Sequence, residues 1–323
     1  MRSYIIRRLL QMIPILIGIS MISFFVMNLA PGDYLTKMRM NPDVSPELIA
    51  QLRAQYGLDQ PLFVQYFKWL WGAIRLDFGY SFTWKVPVFY IIKTRLWNTF
   101  ILSVSAMVLA WVVAIPIGIH AAVHKYSWSD KILTIFAFIG LSIPNFFFAL
   151  LFLVLIARTG FLGLPLGGMT SISYEWMTPW EKMVDLGRHL VGPAITLGTA
   201  QMAGLMRQMR GQMMDVLRQD YITTARSKGL KERVVIYKHA VRNAINPLVT
   251  MLGFTLAFLL SGAVLTETVF GWPGMGKLMV DAVLNRDVYL AMAGLMMASV
   301  LLMLGNLFAD ILLAVVDPRI RYN

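Results

Sequence analysis

Residues able to do chemistry are sparse in this chain, and their spacing limits what they can do. Gly271-Trp272-Pro273-Gly274-Met275-Gly276-Lys277 places glycines and a lysine as a phosphate-binding loop does. The eighth position is Leu278 where a magnesium-binding Ser or Thr is required, Pro273 removes a backbone donor, and no buried strand precedes the stretch. A tight turn or re-entrant cap is expected there, without ATP hydrolysis by that route. His120 and His124 stand four apart, as two metal ligands on a helix face would, but no third ligand accompanies them. An interfacial pair is expected, and no metal. His189 and His239 have no triad partner in sequence, and His239 reads as structural or docking. The chain has no cysteine, which excludes thiol catalysis, thiolate metal sites and disulfides. Two carboxylates remain. Glu267 and Asp310 fall in apolar runs, where ionisable groups mark a pathway or hold helices together. For Glu267 the two readings weigh equally; Asp310 reads as helix-packing glue.

The elements that must position these residues are membrane spans. Hydrophobic residues make up 58% of the chain and charged ones 14%, far from the soluble average. Apolar runs over 9–29, 98–122, 132–157, 189–206, 247–269 and 289–315 approach or exceed the ~20 residues that cross a bilayer. The run at 132–157 is interrupted by Ser142-Ile143-Pro144-Asn145. The run at 189–206 is weakly apolar, and its Thr196, Gly198, Thr199, Gln201 and Gly204 should face protein or a cavity. The expected fold is an all-α polytopic membrane protein of six transmembrane helices. The net charge of +12 is the topogenic excess of such a chain, not a nucleic-acid footprint. Arg2, Arg7 and Arg8 hold the N-terminus inside as an uncleaved first span, and the basic loop 207–246 shares that side. Both termini are therefore expected to be cytoplasmic.

The expected organisation is 1–30 for the N-terminus and span 1, 31–97 for an external helical subdomain, 98–316 for the core and 317–323 for the tail. In the external part, Ser45-Pro46-Glu47 opens a helix closed by Gly57, and a second pattern carries Leu62, Tyr66, Trp69 and Leu70, a composition suited to a membrane interface. Residues 158–188 are external, rich in Gly, Pro and Trp, and have no legible fold. No internal repeat is visible.

One polar stretch stands apart, from Asp220 to Leu230. Asp220 can cap a helix over about two turns, and Gly229 can end it in the left-handed conformation. Ala225 and Gly229 expose little side chain on one face, so a partner's groove could close tightly around it. Beyond it, Val234, Tyr237, Val241, Ala244, Ile245 and Leu248 recur at helical spacing, with Arg233, Lys238 and Arg242 on other faces. Anionic lipid headgroups would explain that basic helix, but less well the separate unit before it.

At these residues the chain resembles the permease subunits of binding-protein-dependent ABC importers. The resemblance lies in Ala225 and Gly229 four apart, followed by Asn243 to Pro247 as Asn-x-x-x-Pro. Asp220-Tyr221, Ala225-Arg226-Ser227-Lys228-Gly229-Leu230 and His239-Ala240 resemble the dipeptide/oligopeptide branch. So do Leu29-Ala30-Pro31-Gly32-Asp33, Tyr56-Gly57-Leu58-Asp59-Gln60-Pro61, Asp77-Phe78-Gly79-Tyr80-Ser81, the stretch from Glu267 to Gly276, and Asp317-Pro318-Arg319-Ile320-Arg321. Trp97 stands where the family usually has Pro, and the family's usual Pro is missing around Asp287-Val288-Tyr289.

The resemblance implies a type I ABC importer permease fold in a bacterial or archaeal plasma (inner) membrane. It implies a second homologous permease subunit, two cytoplasmic ATP-binding subunits that hold ATP and Mg, and an extracytoplasmic solute-binding protein. It makes Asp220, Tyr221, Ala225, Arg226, Lys228 and Gly229 the coupling residues, and leaves Glu267, Gln201 and Asn145 as pathway or gate candidates. The chain itself would be no enzyme and hold no cofactor. Relatives in the branch carry dipeptides, longer peptides, nickel complexes or oligosaccharides. A secondary carrier or channel working alone would need paired broken helices and ion-coupling carboxylates, and the chain offers few of either.

Overall fold

A computed structural model describes residues 2–29, 34–39, 45–249, 251–252, 255 and 263–316. Among the described residues the chain is helical, with one isolated β-bridge between Tyr80 and Pro87 and no strand. The helices α1 (Arg2–Leu29), α5 (Val88–Val123) and α14 (Val288–Val316) are each long and apolar enough to cross a membrane. α5 begins ten residues before the expected start at 98. Short helices α2 (Tyr34–Arg39), α3 (Pro46–Gln55) and α4 (Leu62–Ile74) lie between α1 and α5. Ser45 caps α3 as its sequence suggests, accepting from the Leu48 N–H at 3.2 Å.

The single span expected over 132–157 is instead two helices, α6 (Trp128–Ser142) and α7 (Asn145–Thr159), bent by 105° at the break. Proline causes it. Pro144 disfavours helical backbone in the residue before it, so Ile143 is extended (φ −86, ψ 121), and α7 starts afresh after a residue with no N–H to donate.

The weakly apolar run belongs to α8 (Pro179–Val216), 38 residues and about 57 Å long at 1.5 Å per residue. Its start organises part of the stretch that has no legible fold. Thr178 and Glu181 form a reciprocal capping box, and Pro179 takes the first helical position. Arg188 donates to the Gly163 carbonyl at 2.6 Å, and Gly168 N–H donates to the Phe270 carbonyl at 2.8 Å, so 160–178 is drawn against both α8 and the turn after α12 (Val264–Val269). Of the expected fifth span, 250, 253–254 and 256–262 lie outside the described residues, as do 30–33 and the tail 317–323.

The core is the parallel pair α5 and α8. Ala106, Ala110, Ala114 and Gly118 recur every four residues on α5, and all four are buried. A β-carbon on Gly118 would meet the Met206 carbonyl at 2.8 Å, and one on Gly198 would meet the Ala106 carbonyl at 3.1 Å. A ridge of small residues lets two membrane helices approach this closely, where packing replaces the hydrophobic drive absent in lipid. α1 is fastened to α14 at the arginine-bearing end, where Asp310 accepts from the Tyr4 hydroxyl (2.6 Å) and pairs with Arg8 (3.1 Å). Asp310 is thus the helix-packing group its position suggests.

Ala110→Leu should destabilise the chain by about 1–3 kcal/mol through overpacking, seen as a lower melting temperature in detergent. Val108→Leu, at an exposed position on the same helix, should leave it unchanged.

Candidate functional site

The polar stretch forms α9 (Asp220–Ser227). Its end is a Schellman turn: Leu230 N–H donates to the Ala225 carbonyl (3.4 Å), Gly229 N–H to the Arg226 carbonyl (2.9 Å), and Gly229 takes φ +75. Its start differs from expectation. Gln219 is the N-cap, with no side-chain cap bond, and Asp220 is the first helical residue, where its carboxylate favours the helix dipole instead. Arg226 and Glu232 pair across the Gly229 turn at 2.6 Å, and the Arg226 hydrogen bond holds the Glu232 carboxyl below the usual carboxylate range. Both side chains are about half exposed, so the pair shapes the turn more than it stabilises the chain.

Ala225 does not face outward. With Ile222 it is buried on the following segment, beside Val235, Ile236 and Ala240, in the apolar cluster that Ile119 and Ala122 of α5 and Met209 and Met213 of α8 continue. Its small size lets α9 lie close to its own chain. The face left open carries Asp220, Tyr221, Thr223, Thr224, Ser227 and Lys228, and Gly229 has open space around it. Five of the six expected coupling residues, Asp220, Tyr221, Arg226, Lys228 and Gly229, are therefore presented on one exposed unit, and the sixth seats it.

The apolar stripe after α9 also differs. α10 (Glu232–Val234) and α11 (Val241–Ala244) flank a π-helical segment, Val235–Ala240. The wider π turn shifts the register, so Val235, Ile236, Ala240, Ala244 and Leu248 are buried while Val234 and Tyr237 are exposed. Asn243 Nδ2 donates to the Tyr221 hydroxyl at 3.0 Å and to the His239 carbonyl at 3.0 Å, tying this segment to α9.

A second link joins α8 to the α5–α6 connection. Arg210 grips Asp130 with two parallel bonds, Nε to Oδ1 and Nη2 to Oδ2, both 2.8 Å. Asp130 also accepts from the Tyr126 N–H at 2.9 Å. The Arg210 hydrogen bonds, aided by that of Tyr126, hold the Asp130 carboxyl below the usual carboxylate range despite its burial. Nothing in the sequence pairs two residues 80 positions apart.

The pathway candidates separate. Asn145 opens α7 at the break and lines a cleft of about 170 Å³ with Thr196 and Thr199 of α8. Thr196 Oγ1 and Gln201 Oε1 are buried without a hydrogen-bond partner among the described residues. Glu267 lies elsewhere, fully buried at the opposite end of the core. Its carboxylate accepts from the Thr99 hydroxyl (2.8 Å) and the Lys277 N–H (3.0 Å), while Thr99 Oγ1 accepts from the Met275 N–H (2.8 Å). These donors open α13 (Met275–Leu284), so the backbone groups a phosphate would need are engaged within the chain. Trp272, buried, donates to the Asn98 carbonyl at 3.1 Å, and Asn98 Nδ2 donates back to the Pro273 carbonyl at 2.9 Å. Gly274 must be glycine, since a β-carbon there would run into the Glu267 carboxylate. The phosphate-loop look-alike is this turn.

His120 and His124 lie side by side with ring centroids 4.3 Å apart and planes tilted by 31°. No group of three metal-ligating side chains occurs among the described residues. His189 has a partner that the i, i+4 spacing on α8 could have signalled: it is buried beside Asp185, Nδ1 to Oδ1 3.6 Å, and the Asp185 carboxylate accepts from both the hydroxyl and the N–H of Ser171. The serine bonds to the carboxylate, not the imidazole, so this is a loop anchor and not a nucleophilic triad.

Two family models match, the binding-protein-dependent transport system inner membrane component over residues 114–322 and its N-terminal counterpart over 1–105. The chain is 45% identical to the oligopeptide transport system permease protein AppB of Bacillus subtilis over 323 residues, the full length of both. It is 37% identical to the dipeptide transport system permease protein DppB of Escherichia coli and 36% to the glutathione transport system permease protein GsiC of Escherichia coli, again over both full lengths. Among solved structures it resembles the inward-facing MetNI methionine ABC transporter, with TM-score 0.56 and 15% identity over 71% of this chain and 97% of that one. That likeness shows the fold.

Removing the Arg210 side chain should strand a buried carboxylate. Arg210→Leu is expected to cost about 3 kcal/mol, at the low end for a buried pair because the arginine is 25% exposed. Asp130 has a depressed pKa, so its contribution is full above the ordinary aspartate value near 4 and is lost as pH falls through the lower folded value. The melting-temperature gap between the parent and Asp130→Asn should accordingly close on acidification below about pH 4.

Proposed function

This chain belongs to the binding-protein-dependent transport system inner membrane component family, and from that premise we propose that it forms half of the translocation pathway of a peptide importer driven by separate ATPase subunits. It is a multi-pass inner-membrane permease subunit with the helical fold of ABC importer permeases. The relatives named above are permeases for oligopeptides, dipeptides and glutathione, which makes a short peptide the substrate class we assign.

In this reading both termini and α9 lie in the cytoplasm, where α9 enters a groove on an ATP-binding subunit. A second homologous permease completes the pathway, and an extracytoplasmic solute-binding protein delivers the peptide. ATP and Mg are bound by the partner ATPases, and this chain does no covalent chemistry. Its own part is mechanical. One observation carries the assignment: α9 offers a polar exposed face while Ile222 and Ala225 bury its other face on the π-helical segment Val235–Ala240, in the apolar cluster that continues into the ends of α5 and α8. A pull on α9 by a closing ATPase dimer is passed through that segment and α11 to the core. ATP and loaded binding protein must favour one of the inward- and outward-facing states, or nothing is transported. Asn145, Thr196 and Gln201 supply polar groups within the bundle suited to a passing peptide, whereas Glu267 fastens the opposite end.

Gly229 separates contact from folding. Gly229→Asn suits the left-handed conformation and should preserve ATPase co-purification and peptide uptake. Gly229→Glu should leave the chain inserted, at a strain of about 1–2 kcal/mol, but abolish both. Peptide uptake by the purified chain alone in vesicles would overturn the importer assignment.

A further inference from the structure

Helix α4 sits between α1 and α5 in sequence, where its aromatic composition suits a membrane interface, and two of its three sides are apolar. Tyr66, Trp69 and Ala73 are buried against α1 and the opposite end of the core. Gln65, Lys68 and Gly72 line an open cleft of about 270 Å³. The third side carries Phe63, Val64, Phe67, Trp71 and Ile74, all exposed. At 100° per residue these five form one continuous stripe, distinct from the packed side and from the polar side.

Depth decides what covers that stripe. The Tyr66 hydroxyl lies 2.9 Å from Ser20 Oγ and 3.4 Å from the Ile17 carbonyl, and the Phe63 ring stands 5.5 Å from that of Phe25. Arg7 and Arg8 hold the start of α1 at one membrane surface. Ile17 and Ser20 then rise about 14 and 18 Å above it, and Phe24 and Phe25, on which the Tyr66 and Phe63 rings pack, about 24 and 26 Å, all within a hydrocarbon core about 30 Å thick. Tilting α1 lowers those heights and leaves Tyr66 deeper. The stripe also continues the exposed apolar surface of α1, including Ile13, Ile22 and Val26. At its far end the Arg75 guanidinium stacks over Trp71 at 4.4 Å, an amphipathic pair suited to the headgroup boundary.

We propose that α4 is inserted in the membrane, with the Phe63–Phe67–Trp71–Ile74 face against lipid acyl chains of the leaflet away from Arg8 and the Gln65–Lys68 edge turned to water. Its Tyr66 bond to α1 is then a helix-to-helix contact inside lipid. The placement is independent of the solute transported.

The chain has no cysteine, so single-cysteine labels report one site each. Nitroxide labels on Phe67→Cys and Lys68→Cys, with Phe63→Cys as a second stripe position, would be measured on the full chain in lipid nanodiscs. Collision rates with molecular oxygen, which partitions into lipid, and with a water-soluble nickel chelate would be compared. The stripe labels should favour oxygen several-fold and the Lys68→Cys label the chelate. Chelate access at 63 and 67 equal to that at 68 would place the stripe in water and overturn the proposal. So would protection from both reagents, which would mean that a protein surface covers it.

Discussion

The close approach of α5 and α8 is the constraint on which the rest of this molecule depends. Lipid offers no hydrophobic gain for pressing two apolar helices together, so their contact must come from shape. Ala106, Ala110, Ala114 and Gly118 on one helix and Gly198 on the other remove the side chains that would hold the backbones apart. Each end of the pair then serves as a foundation. At one end the buried Glu267 carboxylate gathers the start of α13 onto Thr99 of α5. At the other, Ile222 and Ala225 seat α9, and Arg210 grips Asp130 to bring in α6.

Energetic weight is therefore distributed unevenly. The Arg210–Asp130 pair is charge-assisted and Glu267 is fully buried on its hydrogen bonds, fastenings whose partial loss is costly. The exposed face of α9 carries solvated polar and charged groups, Lys228 among them, and one aromatic ring, so it contributes little to the chain's own stability. It is free to be optimised for contact. The recess around Asn145 and Thr196, at the 105° break, is lined mostly by apolar side chains and lies beside α8 between the two fastened ends. A rigid pair flanked by a bent pair is an arrangement in which tilting one element alters the space beside it without unpacking the core.

Much of this was legible in the chain. The spans that became α1, α5 and α14 announce themselves by length and apolarity, and Gly229 marks the end of α9 because few residues accept its backbone conformation. What hid did so for physical reasons. Pro144 signals an interruption, but its angle depends on what the two halves pack against. The stripe after α9 was misread because a 3.6-residue period cannot anticipate a π turn, which moves burial from Val234 and Tyr237 to Val235, Ile236 and Ala240. Ala225 looks from sequence like a surface made small for a partner; it is small because its own core lies beneath. Asp130 with Arg210, and Thr99 with Glu267, are long-range pairs with no local pattern to betray them.

The central claim is that α9 and the core pair move as one body. Spin labels on Thr223→Cys of α9 and Val112→Cys of α5, both exposed positions, would report the distance between them by pulsed electron resonance in the assembled transporter. Nucleotide-free and ATP-bound states should give the same distance. A change on ATP binding approaching one helical turn, about 5 Å, would show that α9 slides on its seat and would contradict the account.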